Sequence, residues 1–245
     1  MEFRFIHFYP DLMNLYGSYA NMSVLCRLFE RLGHTVSIQT VQPGEDADLR
    51  KADFFFIGAG TERRQRFAMR DLSRYQGAAK AAAFNGVTML FCGNAMDLLG
   101  KSIVDVEGNT FLGLGVAEFT ATQVKRRIVG DVYGHTDLFP DAVVGFMNKA
   151  SRVTDVGRPL LTSLDMGFGN NGDKGPEGFH VRNVFASELT GPILVKNPRL
   201  LETVAEAVLK RRGADVPESW PVDPWAEKGY AITEAELRKR FQGKN

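Results

Sequence analysis

The chain opens with FRFIHFY at residues 3–9, an aromatic and apolar run that stops at Pro10. That pattern predicts a buried first strand leading into a loop. From Asn21 to Leu32, the residues Met22, Leu25, Phe29 and Leu32 recur at three- and four-residue spacing, and Val24 and Leu28 widen the stripe. This predicts an amphipathic helix ended by Gly33. Thr35–Val41 alternates as a second strand, and Asp53–Ile57, with FFFI at its centre, reads as a third strand covered on both faces. Glu62–Phe84 is charged and helix-favouring, and Val87–Phe91 is a fourth buried strand that ends at Cys92. Strand, helix, strand, strand, helix, strand is the order of an open, mostly parallel α/β sheet flanked by helices.

Beyond residue 100 the apolar runs shorten and glycines multiply: FLGLGV, RRIVGDVYG, AVVGFM and NVFASELTGPILV. We expect these to extend the same sheet and add an antiparallel portion. Leu200–Arg211 predicts a last core helix, with Leu201, Val204, Ala205, Val208 and Leu209 on one face. Residues 1–212 therefore read as one domain. Residues 213–245 read as a tail holding three prolines and both tryptophans, extended first and then a short helix, with Thr233 and Glu236 as its capping box. The tail is either a strap on its own domain or a docking arm for a partner. No period marks an internal repeat.

Composition narrows the function classes. Thirty basic and 29 acidic side chains leave a formal net charge of +1, so no excess of either sign recruits nucleic acid or an anionic membrane. Small molecules and proteins remain as partners. Two cysteines, Cys26 and Cys92, are too few for a disulfide framework and lack zinc-type spacing, which fits a reducing cytoplasm and no metal site. MEFRFIHFYP carries Glu2 and Arg4 and no small-residue cleavage site, so a signal peptide is not expected. No apolar run approaches a membrane span, so membrane insertion is not expected either.

Ligands of parallel α/β sheets sit outside the carboxyl ends of the strands. Three segments fall there: YPDLMNLYG after the first strand, GAGTERRQ after the third, and CGNAMD after the fourth. Cys92 is either a nucleophile on a strand-to-helix elbow or a small buried hydrophobe. No GxGxxG segment joins a predicted strand to a predicted helix, and no GxxxxGK[ST] segment occurs, which argues against a nucleotide binder.

These segments, with GFGNN at 167–171 and GPILVKNP at 191–198, resemble in this order the cobyric-acid-synthase-like, class I glutamine amidotransferases. The resemblance spans residues 3–212 and is strongest to the branch that works with a Mur-ligase-like, MurT-type subunit. It implies a flavodoxin-like three-layer fold, no cofactor, L-glutamine as substrate and a heterodimer with that ligase subunit. In such enzymes a cysteine attacks the side-chain amide of glutamine, forms a thioester and releases ammonia. The ligase then uses the ammonia to amidate a carboxylate, here the D-glutamate of lipid II. Cys92 is implied as the nucleophile. The backbone of Gly93, Asn94, Gly58 and Gly60 is implied to approach the substrate and stabilise the oxyanion. Arg127 is implied to clamp the substrate carboxylate, with Asn170 and Asn171 in a loop near the site. Without the resemblance, the glycines are tight turns, Arg127 a solvated strand charge and the asparagines turn residues.

The chain departs from the family at its base. The family's GTYLHGP reads ASELTGP, so Thr190 stands at the histidine, and GFENH reads GFMNK, so Lys149 stands at another. CGGYQLLG becomes CGNAMDLLG, one residue longer. Of the four histidines, His7 lies on the correct sheet edge and reads as structural. His180 is separated from Thr190 by a strand, and His34 and His135 have no motif around them. Glu188 and Asp97 are nearer in sequence, but a carboxylate beside a thiol disfavours the thiolate. Two functions remain: a glutaminase subunit feeding a ligase, and a non-catalytic relative that binds or regulates that ligase.

Overall fold

The computed structural model describes residues 1–221 and 223–243. Five parallel strands and one antiparallel edge strand form the central sheet. β1 (Glu2–Phe8), β2 (Thr35–Val41), β3 (Phe54–Ile57) and β4 (Thr88–Cys92) fall where the apolar runs predict them. Later in the chain, β10 (Phe179–Val181) and β11 (Val184–Ser187) complete the order β10-β11-β4-β3-β1-β2. β11 runs parallel to β4 and β10 antiparallel to β11. β3, β4 and β11 are buried along their whole length, which is why their sequences, apart from the terminal Thr88 and Ser187, are apolar rather than alternating.

Two layers cover this sheet. On one side α1 (Ala20–Arg31), α5 (Ile193–Lys196) and α6 (Pro198–Arg211) pack against Phe3, Phe5, Leu90 and Cys92. On the other, α2 (Glu62–Leu72), α3 (Gln76–Phe84) and α4 (Ala95–Leu99) pack against Phe8, Phe55, Met89 and Phe91. The helical stretch expected over Glu62–Phe84 is thus broken, by a 3-10 turn at Ser73–Tyr75. The break lets Tyr75 turn inward, where its hydroxyl donates to Glu45 O at 2.7 Å.

The antiparallel portion is a second sheet rather than an extension of the first. β5 (Ser102–Val104), β6 (Thr110–Leu112), β7 (Thr120–His135) and β8 (Val143–Val153) lie in the order β6-β5-β7-β8, with β9 (Ser163–Met166) paired to β7. Asn197 ties the sheet to the helical layer: its side chain accepts from Val144 N at 2.8 Å and donates to Val144 O at 3.0 Å.

The tail ends in α7 (Pro224–Gln242), 19 residues long. Asp223 caps it, accepting from Trp225 N and Ala226 N, and Pro224 supplies the fixed φ of a first helical turn. Thr233, expected as the cap, sits mid-helix with its hydroxyl donating to Gly229 O. Leu237 and Tyr230 lay the helix against Tyr133, Ala142 and Val144, so the tail straps its own domain.

Candidate functional site

Four loops meet at the carboxyl edge of the central sheet, and backbone contacts hold them together. Leu15 N, in the loop after β1, donates to Ala59 O at 2.8 Å, and Ala59 N donates to Ser18 Oγ at 3.3 Å. Gly93 N, past β4, donates to Ser187 O at 2.8 Å, at the end of β11. Such packing leaves no room for side chains at the glycines of the GAG loop. A Cβ on Gly58 would lie 2.5 Å from Met13 O, and one on Gly60 would run into Met13 Sδ.

Cys92 is the last residue of β4, and its side chain shares a face with Leu90, toward α1. It is fully buried, and Asn21 Nδ2 lies 3.6 Å from its sulfur. Burial, and then the nearby Glu177 carboxylate, push its thiol far above the usual cysteine range. The elbow residue is Gly93, the first past the strand, with φ +61°. A Cβ there would lie 2.7 Å from the Cβ of Ala59, so position 93, and not 92, aims at the GAG loop. Counting back from Leu98-Leu99-Gly100 makes the same assignment: the eight-residue motif ending in LLG begins at Gly93. No inserted residue is needed in the turn, and this register is the signal that counting forward from Cys92 misses.

Asn94 braces the two glycine loops. Its Oδ1 accepts from Gly60 N at 2.9 Å and its Nδ2 donates to Gly60 O at 2.8 Å. Gln65 Nε2 donates to Asn94 O at 2.6 Å. Arg127, on β7, reaches the first turn of α2: Nη1 lies 2.6 Å from Glu62 Oε1, Nε donates to Asn148 Oδ1 at 2.6 Å, and Nη2 donates to Asn148 O at 2.8 Å. Asn148 Nδ2 in turn donates to the hydroxyl of Tyr16 at 3.0 Å. Tyr16 sits at φ +60°, a conformation rare outside glycine. Glu62, Asn148 and Tyr16 are thus site residues that the sequence motifs did not single out.

Thr190 is buried, and both its N–H and its hydroxyl donate to Phe146 O, at 2.8 and 2.9 Å. Among the described residues, no imidazole bonds Cys92 or Thr190. His7 lies inside β1 against Phe56, unpaired at Nε2, and burial lowers it to about 4. His34 packs at a tilt against Phe3 at the opposite sheet edge, His135 bonds Asp165, and His180 stacks on Phe185. Asn170 braces its own loop through Gly178 N and O, and Asn171 bonds Asp173 on the exposed surface.

Asp97 of α4 belongs to a buried ionisable cluster. Ser151 Oγ is 3.0 Å from Asp97 Oδ1 and 3.0 Å from Glu188 Oε1. A hydroxyl has one proton, so one of the two carboxyls must donate. Burial, reinforced by Glu188, accordingly holds Asp97 well above the usual carboxylate range. Lys149 Nζ donates to Asn170 O at 2.7 Å and lies 3.8 Å from Glu188 Oε2. Glu177 accepts from Glu188 N at 2.7 Å, and burial raises it to about 7. Among the described residues, no group of three or more His, Cys, Asp or Glu side chains is placed to hold a metal ion.

Comparison with known proteins agrees with this geometry. Residues 4–198 match the CobB/CobQ-like glutamine amidotransferase domain. Two relatives are each a lipid II isoglutaminyl synthase (glutamine-hydrolyzing) subunit GatD. The one from Staphylococcus aureus is 30% identical over 213 residues, covering 86% of both chains. The one from Streptococcus pneumoniae is 33% identical over 220 residues, covering 88% of this chain and 84% of the relative. A glutamine amidotransferase from Thermotoga maritima shares the fold at TM-score 0.54 and 12% identity, covering 98% of this chain and 97% of that one. PurLQS from the same organism does so at TM-score 0.53 and 13% identity, covering 86% and 97%. A central parallel sheet, a glycine elbow braced to a GAG loop and a match over most of the sequence place this chain in the CobB/CobQ-like glutamine amidotransferase family.

Proposed function

We propose that this chain is the amidotransferase subunit of a two-component ligase of the cytoplasm. It pairs as a heterodimer with a Mur-ligase-like, MurT-type subunit, and the pair amidates a cell-wall precursor carboxylate, the D-glutamate of lipid II. The observation that carries this reading is similarity along most of the chain to two GatD subunits of lipid II isoglutaminyl synthase. Two free cysteines, and no described helix long and apolar enough to cross a membrane, fit that setting. In the family's chemistry the subunit takes ammonia from L-glutamine, with Cys92 as attacking thiol and the Gly58, Gly60, Gly93 and Asn94 backbone around the oxyanion. Arg127 holds the substrate carboxylate, and the base is supplied from outside this chain, since Thr190 has no titratable nitrogen. Asn170 and Asn171 shape the neighbouring loop.

A second reading is favoured by the elbow. Gly93 occupies the position that faces the GAG loop, and Cys92 points into the core with its thiol stabilised in the protonated form. A buried, protonated thiol is a poor nucleophile. On this reading the chain keeps the fold and the partner surface and holds or regulates the ligase without hydrolysing glutamine.

Purification with the ligase subunit, followed by glutamate release from L-glutamine, separates these. Release abolished by Cys92→Ala supports hydrolysis at Cys92. An intact complex with no release above the Cys92→Ala background supports the regulatory reading. Failure of the two chains to associate contradicts the pairing.

A further inference from the structure

The strand at the end of a sheet carries a row of N–H and C=O groups with no neighbour, and a long, uncharged row invites another strand to pair with it. This chain closes other sheet edges from within. On β8, Asn197 bonds Val144 N and O, Thr190 donates to Phe146 O, and Leu189 bridges Met147. On β10, only three residues long, His180 N donates to Arg158 O at 2.9 Å. β2 is left open. It ends the central sheet on the other side, is seven residues long and pairs only with β1. Thr35 N donates to Met1 O and Val41 O accepts from Tyr9 N, so Thr35, Ser37, Gln39 and Val41 turn their backbone groups toward β1. Val36, Ile38 and Thr40 turn theirs outward, by the alternation of a strand. Among the described residues, nothing bonds those outward groups. Ile38, at the centre of the strand, is 49% exposed.

β2 reads TVSIQTV, in unbroken register with β1, and has no charge, no proline and no bulge, the devices that keep an edge from pairing. We propose that two copies of this chain pair through β2, antiparallel about a two-fold axis at Ile38, to form one continuous sheet. Val36 then faces Thr40 of the second copy, and Ile38 faces its own counterpart. Each such pair exchanges both of its N–H···O bonds, so every outward group on both strands is satisfied. β-Branched side chains, which pack well on a pleated surface, meet across the seam. The same features select a second copy as the occupant. A two-fold axis sets the strand against itself, so a charge at its centre would oppose its own like, and β2 carries none. The antiparallel arrangement also turns the two carboxyl edges to opposite ends of the dimer, which leaves the loops of each copy open to a ligase subunit. The proposal needs nothing of the chemistry at Cys92 or Gly93.

The test is sedimentation equilibrium of the full chain: wild type, Ile38→Lys, Ile38→Glu and an equimolar mixture of the two variants, each checked for an unchanged thermal transition. We expect wild type to dimerise. Each variant alone should dimerise at least about tenfold more weakly, because like charges meet at the axis. Mixing the variants sets opposite charges there, and a dimer of mixed composition should return. Wild type that keeps the mass of one chain up to about 100 μM overturns the proposal and leaves the edge to another partner. So does an Ile38→Lys variant that dimerises as well as wild type. A mixture no more dimeric than its components overturns the pairing about Ile38.

Discussion

The carboxyl edge of the central sheet and the polar rim where it meets the second sheet lie side by side but are held by different forces. The edge is made of backbone: hydrogen bonds between loops, glycines pressed against Met13 and Ala59, and a buried carboxyl cluster beneath. The rim is made of side chains: Tyr16, Asn148, Arg127 and Glu62, all at least partly open to solvent. Edge contacts are close-packed. Rim contacts are surface polar pairs that water can replace. The edge is therefore the rigid part of this region, and the rim the part that can rearrange.

The contrast has measurable consequences. Lys149 is buried beside Glu188 and bonded to Asn170 O, so Lys149→Met leaves buried carboxyls without their cation. We expect a loss of about 3–5 kcal/mol in denaturant unfolding. At the edge itself, Gly58→Ala forces a Cβ against Met13 O and Ser18 Cβ, and backbone must shift. The expected loss is about 3 kcal/mol, read in the same assay.

Glu177→Gln sharpens the comparison through pH. The folded-state value of Glu177 is raised by burial from 4.5 to about 7. Its stabilising contribution is thus complete below 4.5 and lost as pH rises through 7, because the unfolded chain releases a proton that the native state retains. Wild type should lose about 1.4 kcal/mol per pH unit across that window from this group, and the variant should not. His7 acts with the opposite sign: its value falls to about 4, so its contribution is lost as pH falls toward that value. Comparing Glu177→Gln with wild type cancels the histidine, which titrates alike in both. At the rim, Glu62→Ala should change unfolding stability by less than about 1 kcal/mol, the range of a partly exposed ion pair.

Much of the edge was legible from sequence. FFFI and MLFC are apolar without interruption because their strands are buried on both faces, FRFIHFY is broken only by Arg4 and His7, and composition reports that directly. The second sheet was not. β7 alternates buried and open positions and bulges between Gln123 and Ile128, so its residues read as short runs, and nothing local says that they leave the first sheet. Thr233 and Glu236 imitate a helix start, yet Asp223-Pro224 ten residues earlier is the true one, a cap followed by proline at the first helical position. The motifs mark the loops that meet at the carboxyl edge. Which residue stands at its elbow depended on register, since a one-residue change moves a side chain from the GAG loop to the opposite layer.

That register is tested by the accessibility of one sulfur. The native full chain, treated with a thiol-reactive glutamine analogue and digested for mass spectrometry, should carry no label on Cys92, and Cys92 should react with a small thiol reagent only after denaturation. The Gly93→Cys variant presents its sulfur toward Ala59 and should be modified in whatever fraction folds. Stoichiometric labelling of Cys92 in the native chain by the glutamine analogue would contradict the assignment of Gly93 to the nucleophile's position.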